Sequence, residues 1–451
     1  MPSPRTRSPH AIELLLRSTS RRLLNWDRYT VRQDMFDAGV AWTFTLWYSR
    51  KVDALWETVK REVRVGEEVV FSIDGAPQIS GRIERATIKV SRKGGMSLTI
   101  SGRDTAGPAI KWDADPRITL YNRALPDVGK ELFAQLGINL ALLDAAGVRE
   151  VQSRARPGAR APAKTTRHNT RRVDLSHARP NETVWAVWSS ITKNLGFMSW
   201  VAPTPDGTLG VVVDTPNYKQ PALFKLRRRL SAGVVTQDSN ILDSEFTVDI
   251  SDVPTVVYAF SRPGRGDKRT ARHRSIHVNS RFGDAINNDV TLEFLRYDSG
   301  TGRVEPPTTE RWNGEDGPRA PQPITRQAFS NDGLSAWSCV ALPMPPQPKF
   351  LHGRRARNPD TGAQEARRYM SQRMKDFRTV KLVTRGHGQV VDGEMRIFAV
   401  NMMATVDDEL LDVAEDMLIH AVEFEGGRKV GQTTTLTLGT KDMINLEPEA
   451  T

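Results

Sequence analysis

The chain has 451 residues, of which 38% are hydrophobic and 26% are charged. This balance is typical of folded, soluble proteins and, at this length, of two to four domains. No apolar run reaches the roughly eighteen residues that a transmembrane helix needs. Cys339 is the single cysteine and cannot cross-link the fold, so we expect a reducing compartment and a buried structural thiol, not a nucleophile.

The net charge of +11 is unevenly distributed. Residues 151–173 form a basic, irregular loop, interrupted by prolines and a glycine and without an acidic residue; its basic residues are Arg154, Arg156, Arg160, Lys164, Arg167, Arg171 and Arg172. Such a loop is a solvated linker or a docking arm for an acidic neighbour. Nucleic-acid binding is a third alternative, although the loop has no aromatic residue for base stacking.

The first hundred residues alternate in hydrophobicity, as β-strands do. Glu13 and Arg17 interrupt the first apolar stretch, so we expect it to be a strand and not a signal peptide, which leaves the protein in the cytoplasm where it is made. Asp74-Gly75 predicts a tight hairpin turn between two such strands. Many short strands separated by turns indicate a small barrel or sandwich.

The remaining segments divide the chain further. Helices are predicted from Pro126 to Leu136, from Val184 to Ile191 and from Pro359 to Phe377, and strand pairs around Phe197–Val213 and Ile276–Phe294. We therefore predict a β-rich α+β protein with two similar barrel domains, a small mixed α/β module and a loop-rich insertion. The expected domains are a first barrel at 1–105, a mixed module at 106–235, a second barrel at 236–262 with 375–442, and an insertion at 263–374 that ends in a helix.

An internal repeat supports two barrels in one chain. Residues 94–104, GGMSLTISGRD, resemble residues 431–442, GQTTTLTLGTKD: each is a turn, then a strand of alternating small and apolar residues, then a base and an aspartate. Strands of this kind are common, so chance similarity is the alternative. Two copies per chain would let a trimer present six similar units in a ring.

The order and spacing of several short elements resemble the baseplate hub family of contractile phage tails, which includes the Mu-like hub and the late-control tail proteins. The resemblance covers about residues 11–440 and rests on Asn25–Val31, Trp42–Leu46, Val65–Val69, Ile73–Gly75 with Gly81–Ile83, Ile100–Asp104, Asn181–Trp185, Asp206–Leu209, Pro345–Phe350, Ala366–Arg368 and Gly431–Leu438. The basic loop and residues 263–330 match nothing in this family.

The resemblance implies a homotrimer in the baseplate of a virion tail or tail-like particle, assembled in the host cytoplasm. Two tube-type barrels per chain would form a pseudo-sixfold ring that contacts the tail tube or its initiator on one side and the central spike on the other, with wedge proteins as further neighbours. Because no β-helix repeat follows Thr440, the spike is expected to be a separate protein. The residues expected to matter are structural: turns at Asp74, Gly75, Gly94, Gly95, Gly426 and Gly427, and barrel cores at Trp42, Phe44, Leu98, Leu436 and Leu438.

The sequence predicts no catalytic, cofactor-binding or metal-binding residue, and no cofactor. His273 and His277 have the spacing of a helical metal pair, but neighbouring arginines and the lack of a third ligand disfavour zinc. The acidic run at 407–416 is interpreted as a turn and an exposed face. It is also the only support for the alternative of a cell-wall-degrading enzyme, which needs two placed carboxylates.

Overall fold

The computed structural model is dominated by β-structure. It describes residues 10–24, 26–48, 61–91, 95–154, 173, 178–204, 208–231, 234–236, 239–249, 251–252, 256–261, 272–278, 291–295, 297–298, 303–304, 308–311, 348–353, 369, 373, 377–427 and 431–440. Between residues 256 and 353 only the backbone of the strands is described. Within the described ranges no helix is long and apolar enough to cross a membrane.

The strands of the first half are β1 (Ile12–Leu16), β2 (Arg21–Leu23), β3 (Arg28–Asp34), β4 (Ala41–Tyr48), β5 (Glu68–Ile73), β6 (Ala76–Ser91), β7 (Gly95–Asp104), β8 (Leu140–Leu143), β9 (Met198–Ala202), β10 (Leu209–Asp214), β11 (Phe224–Arg228), β12 (Leu230–Ser231) and β13 (Val234–Val235). Those of the second half are β14 (Ile241–Val248), β15 (Val256–Ser261), β16 (Arg272–Val278), β17 (Thr291–Leu295), β18 (Tyr297–Asp298), β19 (Arg303–Val304), β20 (Thr308–Arg311), β21 (Pro348–Gly353), β22 (Arg378–Arg385), β23 (Gly388–Val391), β24 (Glu394–Ile397), β25 (Met403–Asp408), β26 (Val413–Gly426) and β27 (Thr433–Thr440). The helices are α1 (Gly107–Lys111), α2 (Leu125–Ala134), α3 (Ala145–Ser153) and α4 (Val184–Asn194).

A single 13-stranded sheet contains strands from both ends of the chain. Its main path runs β14-β22-β27-β26-β3-β4-β7-β6-β5-β1-β2, and β25 and β11 extend it from β26. The β-rich fold class is therefore confirmed. The two sets of strands predicted as separate barrels are joined edge to edge by the pairing of β26 with β3.

The two halves of this sheet repeat one topology. The order β3-β4-β7-β6-β5 in the first half corresponds to β14-β22-β27-β26-β25 in the second, with the same order along the chain and antiparallel pairing throughout. In each half the long strand carries an irregularity in its pairing with the last strand of that half, between Ile83 and Arg85 on β6 against β7 and between Ile419 and Ala421 on β26 against β27. This agreement confirms the internal repeat; we call the two halves unit 1 and unit 2.

The mixed module has its own small sheet, β8-β10-β9, covered by helices. Helix α4 begins where the sequence predicts, after Thr183, whose hydroxyl accepts a hydrogen bond from the Ala186 amide. Helix α3, which was not predicted from the sequence, is capped in the same way by Asp144, which accepts from the Gly147 amide. The buried residues of α4, Val184, Val187, Trp188 and Ile191, recur on one face of the helix. Together with α2 they form a second hydrophobic core, separate from the core that the two units share.

Two strands lie outside the domains predicted for them. β15, expected in the second barrel, instead pairs with β16 and β21 in a five-stranded sheet, β20-β17-β16-β15-β21. β11, expected in the mixed module, runs parallel to β25 and belongs to unit 2. The predicted strand pair around 276–294 is confirmed by the pairing of β16 with β17. The predicted helix at 359–377 lies almost wholly outside the described residues.

Candidate functional site: the junction of the two units

The junction between the units is a pair of antiparallel strands that come from opposite ends of the chain. Ala421 to Gly426 of β26 pair with Tyr29 to Asp34 of β3. On the outer face Arg32 lies opposite Glu423. Burial lowers the pKa of Arg32, but its hydrogen bond to Asp34 and the charges of Asp34 and Glu423 outweigh burial and raise it above its usual value. On the inner face Phe424 lies opposite Val31, and both side chains are fully buried. The junction is therefore a seam with a buried inner face and a charged outer surface.

A buried hydrogen-bond chain crosses this seam. The imidazole of His387 lies 2.6 Å by its Nε2 from the Tyr29 hydroxyl and 2.9 Å by its Nδ1 from the Thr434 hydroxyl. Thr434 donates its own proton to the Gly386 carbonyl at 2.7 Å, so its oxygen accepts from Nδ1–H. Nε2 is then the acceptor for the Tyr29 hydroxyl. This arrangement suits a neutral His387 that has its proton on Nδ1 and its lone pair on Nε2.

Burial explains the ionisation state of these groups. His387 is fully buried, with the ring of Phe424 edge-on at 5.2 Å between centroids. Burial, together with the neighbouring charge of His10, lowers the pKa of His387 to about 3. Burial likewise raises the pKa of the Tyr29 hydroxyl above its usual range. The seam therefore contains polar groups that stay uncharged at neutral pH.

A second pair at the edge of the seam joins the first strand of the chain to the β5–β6 turn. The Nδ1 atom of His10 lies 2.5 Å from Asp74, and the amide of Ala11 donates to the same carboxylate at 2.7 Å. Burial raises the pKa of Asp74, but these hydrogen bonds outweigh that effect and hold it below the usual range. Asp74 and Gly75 both have positive φ, which confirms the predicted tight turn.

The residues of the Gly-Arg-Asp segment, which contributed to the family resemblance, have a packing role. A Cβ at Gly102 would lie 1.9 Å from the carbonyl oxygen of Arg82 and 2.6 Å from the indole of Trp42, so only glycine fits. The indole nitrogen of Trp42 donates to the Arg103 carbonyl at 3.1 Å. Asp104 is buried and accepts from the amides that follow β3 and β7 at 2.9 to 3.2 Å. This cluster fixes β7 to the start of β4.

Other predicted positions behave differently. Trp42, Phe44, Leu98, Leu436 and Leu438 are all buried, which confirms the predicted barrel cores. Gly426 was expected in a turn, but it ends β26 opposite Tyr29, where a Cβ would lie 2.6 Å from the tyrosine hydroxyl. Gly427 likewise makes a close approach, to the carbonyl of Asp27. Gly95 has the positive φ of a turn residue, and Gly94 lies outside the described residues.

The acidic run is only in part the turn and exposed face that we expected: residues 409–412 form a turn and Glu409, Asp412 and Asp416 are exposed, but Asp408 is buried. Asp408 has 1% of its surface exposed and binds Arg228 of β11 through two hydrogen bonds, Nε to Oδ1 at 2.9 Å and Nη2 to Oδ2 at 2.6 Å. Arg229 contacts Asp407 and Glu409, and Glu415 lies 2.8 Å from the buried Arg378. Asp407, Asp408 and Glu409 pair with Arg228 and Arg229 because β11 lies beside β25. Glu415 pairs with an arginine of β22.

The two histidines that have the spacing of a helical metal pair do not lie on a helix. His273 and His277 fall on strand β16, not on a helix. Among the residues that the structure describes, no group of three His, Cys, Asp or Glu side chains is placed to hold a metal ion. His387 was not singled out from the sequence, since a lone histidine between two glycines carries no signal of burial. Cys339 and nearly all of the basic loop lie outside the described residues.

Comparison with solved structures decides the fold. A tail protein from Neisseria meningitidis MC58 is similar over 97% of this chain and 98% of its own, with a TM-score of 0.63 and 16% sequence identity. The 43 kDa tail protein of prophage MuSo2 from Shewanella oneidensis is similar over 96% and 99%, with a TM-score of 0.60 and 11% identity. The chain has a phage tail protein fold. Neither a protein-family model nor a curated protein sequence matches it.

Proposed function

We propose that the chain is the structural hub of a contractile-tail baseplate, a homotrimer that joins the sixfold tail tube to the threefold central spike. The observation that carries the proposal is the presence of two units of one topology side by side in one continuous sheet. Three such chains contain six similar units, which match a sixfold tube on one face. The same ring has true threefold symmetry, which matches a trimeric spike on the other.

The mechanism is geometric. Each unit presents its sheet to its neighbour, so a ring shields the strand edges that would otherwise be open to wrong pairing. We propose that the tube or its initiator binds one face and the spike the other, with wedge proteins outside, in a baseplate assembled in the host cytoplasm. The full-length similarity to tail proteins supports this location, and the family resemblance supports the hub role.

We propose no catalytic role. The enzyme alternative rests on the acidic run, whose Glu409 and Glu415 are engaged by Arg229 and Arg378. Paired carboxylates of this kind have a structural explanation that needs no substrate. The nucleic-acid alternative rests on the basic loop; it predicts DNA binding that weakens steeply with salt and that disappears when residues 155–172 are deleted.

Light scattering tests the trimer. The purified protein, alone or mixed with the tube and spike proteins of the same particle, is expected to have about three times the chain mass of 50.4 kDa. Electron microscopy down the ring axis should then show six similar lobes with threefold differences. A chain that stays monomeric in the presence of both partners refutes the hub proposal.

A further inference from the structure

We propose that the exposed edge of β6 pairs, antiparallel, with β14 of a second copy of this chain, so that residues 85–89 of one copy lie opposite residues 245–249 of the next. This pairing would be the surface through which the copies of the proposed hub join. Only the closure of the ring at three chains rests on the proposed function. The pairing itself follows from the repeat: the junction that joins unit 2 to unit 1 within the chain has an equivalent between unit 1 and the next chain's unit 2.

The within-chain junction supplies the template. Beyond its irregularity, β26 pairs with β27 on one edge and with β3, the first strand of the other unit, on the other. β6 is the equivalent of β26 and β14 is the equivalent of β3. In the described part of the chain, β6 beyond its irregularity pairs only with β7, and β14 pairs only with β22. Each unit therefore has one edge without the partner that its equivalent has.

Exposure marks these edges as uncovered. Phe424 of β26 is fully buried, whereas Ile88 at the equivalent position of β6 is 47% exposed and Val90 is 70% exposed. Yet Leu98, the strand partner of Ile88, is buried. β14 likewise exposes Val248, although the inner face of its neighbour β22, which includes Val380 and Leu382, is buried. The core of each unit thus continues to an edge where apolar side chains face solvent.

Aligning the two irregularities fixes the register. Arg85 then corresponds to Ala421, because each is the first paired residue after its irregularity. Phe246 corresponds to Val31, because three successive strand pairings connect each of them to the residue just before the irregularity of its own unit. Carrying the Phe424–Val31 pairing over to the new edge places Ile88 opposite Phe246. On this inner face, two apolar side chains would join the cores of the two copies, as Phe424 and Val31 do within one chain.

The same register pairs opposite charges on the outer face. Lys89 lies opposite Glu245, Arg85 opposite Asp249, and Thr87 opposite Thr247 between them. The strand from unit 1 is therefore basic here, and the strand from unit 2 is acidic. All of these residues are exposed in the isolated chain. Opposite charges across a strand pair stabilise it, and like charges oppose a wrong register. The within-chain junction has such a pair in Arg32 and Glu423.

The two surfaces are different, so the contact is head-to-tail. A head-to-tail contact builds a closed ring when the rotation per copy closes and an open polymer when it does not. The hub proposal requires closure after three copies. Pairing of β6 with β14 and closure at three are therefore separable results.

Disulfide cross-linking tests the pairing. Cys339 is first replaced by serine, and two chains are made, one carrying Thr87→Cys and the other Thr247→Cys. Co-expressed and oxidised, they are expected to form a covalent dimer of one chain of each kind, because directly opposite residues on one face approach within disulfide distance. The matched control replaces Thr247→Cys by Val248→Cys, which is one residue away and points to the opposite face. No dimer with the first pair, or equal dimer with the control, overturns the pairing.

Charge reversal gives an independent measurement. Lys89→Glu and Glu245→Lys are each expected to reduce association at least tenfold at low salt, and the double variant is expected to restore it. Lys130→Glu, a reversal on the exposed face of α2, is the control and should leave association unchanged. Failure of the double variant to restore association overturns the assigned contact. A trimer by light scattering without the disulfide refutes this interface and leaves the hub proposal standing. In chains that each carry both Thr87→Cys and Thr247→Cys, a disulfide ladder that continues past three chains supports the interface and refutes the closed trimer.

Discussion

Replacing His387 by glutamine is expected to make the protein less sensitive to acid. The glutamine carbonyl can still accept from the Tyr29 hydroxyl and its amide can donate to Thr434, while the titrating group is removed. The unfolded state has an ordinary histidine pKa of 6.5, and the folded state has a pKa of about 3. Between these values the unfolded chain binds a proton that the folded chain does not, so the wild type loses stability as pH falls below about 6.5.

The size of the effect follows from the shift. A difference of about 3.5 pKa units corresponds to a full loss of about 5 kcal/mol at a pH near 3, because each unit is about 1.4 kcal/mol. At pH 5 the loss from this group is about 2 kcal/mol. The glutamine variant should be about 1 to 2 kcal/mol less stable than the wild type at pH 8, owing to imperfect hydrogen bonding. Its deficit should then nearly vanish at pH 5.

Denaturant unfolding at pH 8, 7, 6 and 5 measures the free energy of unfolding of each protein. The other groups near His387, which are His10, Asp74 and Tyr29, are unchanged in every protein compared. Phe424→Leu is the matched control, since it removes packing beside the same ring without removing the titrating group. Its free energy of unfolding should lie below that of the wild type by a similar amount at each pH. If the glutamine variant loses as much stability on acidification as the wild type, the reasoning about His387 is refuted.

Three further substitutions test the packing of the sheet. Gly102→Ala should lower the free energy of unfolding, measured by thermal melts, by several kcal/mol, since the new methyl would overlap a backbone oxygen of the adjacent strand. Gly431→Ala is the control and should change the free energy of unfolding little, because no atom lies within 4 Å of a Cβ at this position. Asp408→Ala should lower the free energy of unfolding by about 3 to 5 kcal/mol, because it leaves a buried arginine without its ion pair. Glu68→Ala, which breaks surface pairs, is the control and should lower it by less than about 1 kcal/mol in denaturant unfolding. Asp104→Ala should cost about 2 to 4 kcal/mol, because its buried carboxylate satisfies three backbone amides; hydrogen exchange should show faster exchange at those amides, and unchanged exchange would contradict this role.

Local features of the fold could be predicted from the sequence. The Asp74-Gly75 turn has its own chemical signal, because positive φ at two successive positions favours these residues. Helix α4 has both a cap at Thr183 and a 3.6-residue apolar period, so its start and its buried face were predicted together. The internal repeat was visible at the same level, since equivalent strands keep similar alternation.

Pairings between distant segments could not be predicted in the same way. Nothing local in residues 29–34 indicates that they pair with residues 421–426. The acidic run at 407–416 was interpreted without the arginines at 227–229, although their opposite charges are the one signal that could have linked the two segments. The buried role of His387 had no such signal, since it depends on two hydroxyl groups brought together only by the folded sheet.

The insertion between β14 and β22 makes the two units unequal. Unit 1 joins its first two strands, β3 and β4, by a short connection, whereas unit 2 places a five-stranded sheet at the equivalent point. In a ring of three chains, unit 1 without an insertion and unit 2 with the five-stranded sheet would alternate around the ring. An insertion in one of two duplicated units is thus sufficient to convert a ring surface with six equivalent binding positions into one with three. A partner present in three copies then has three binding positions and not six.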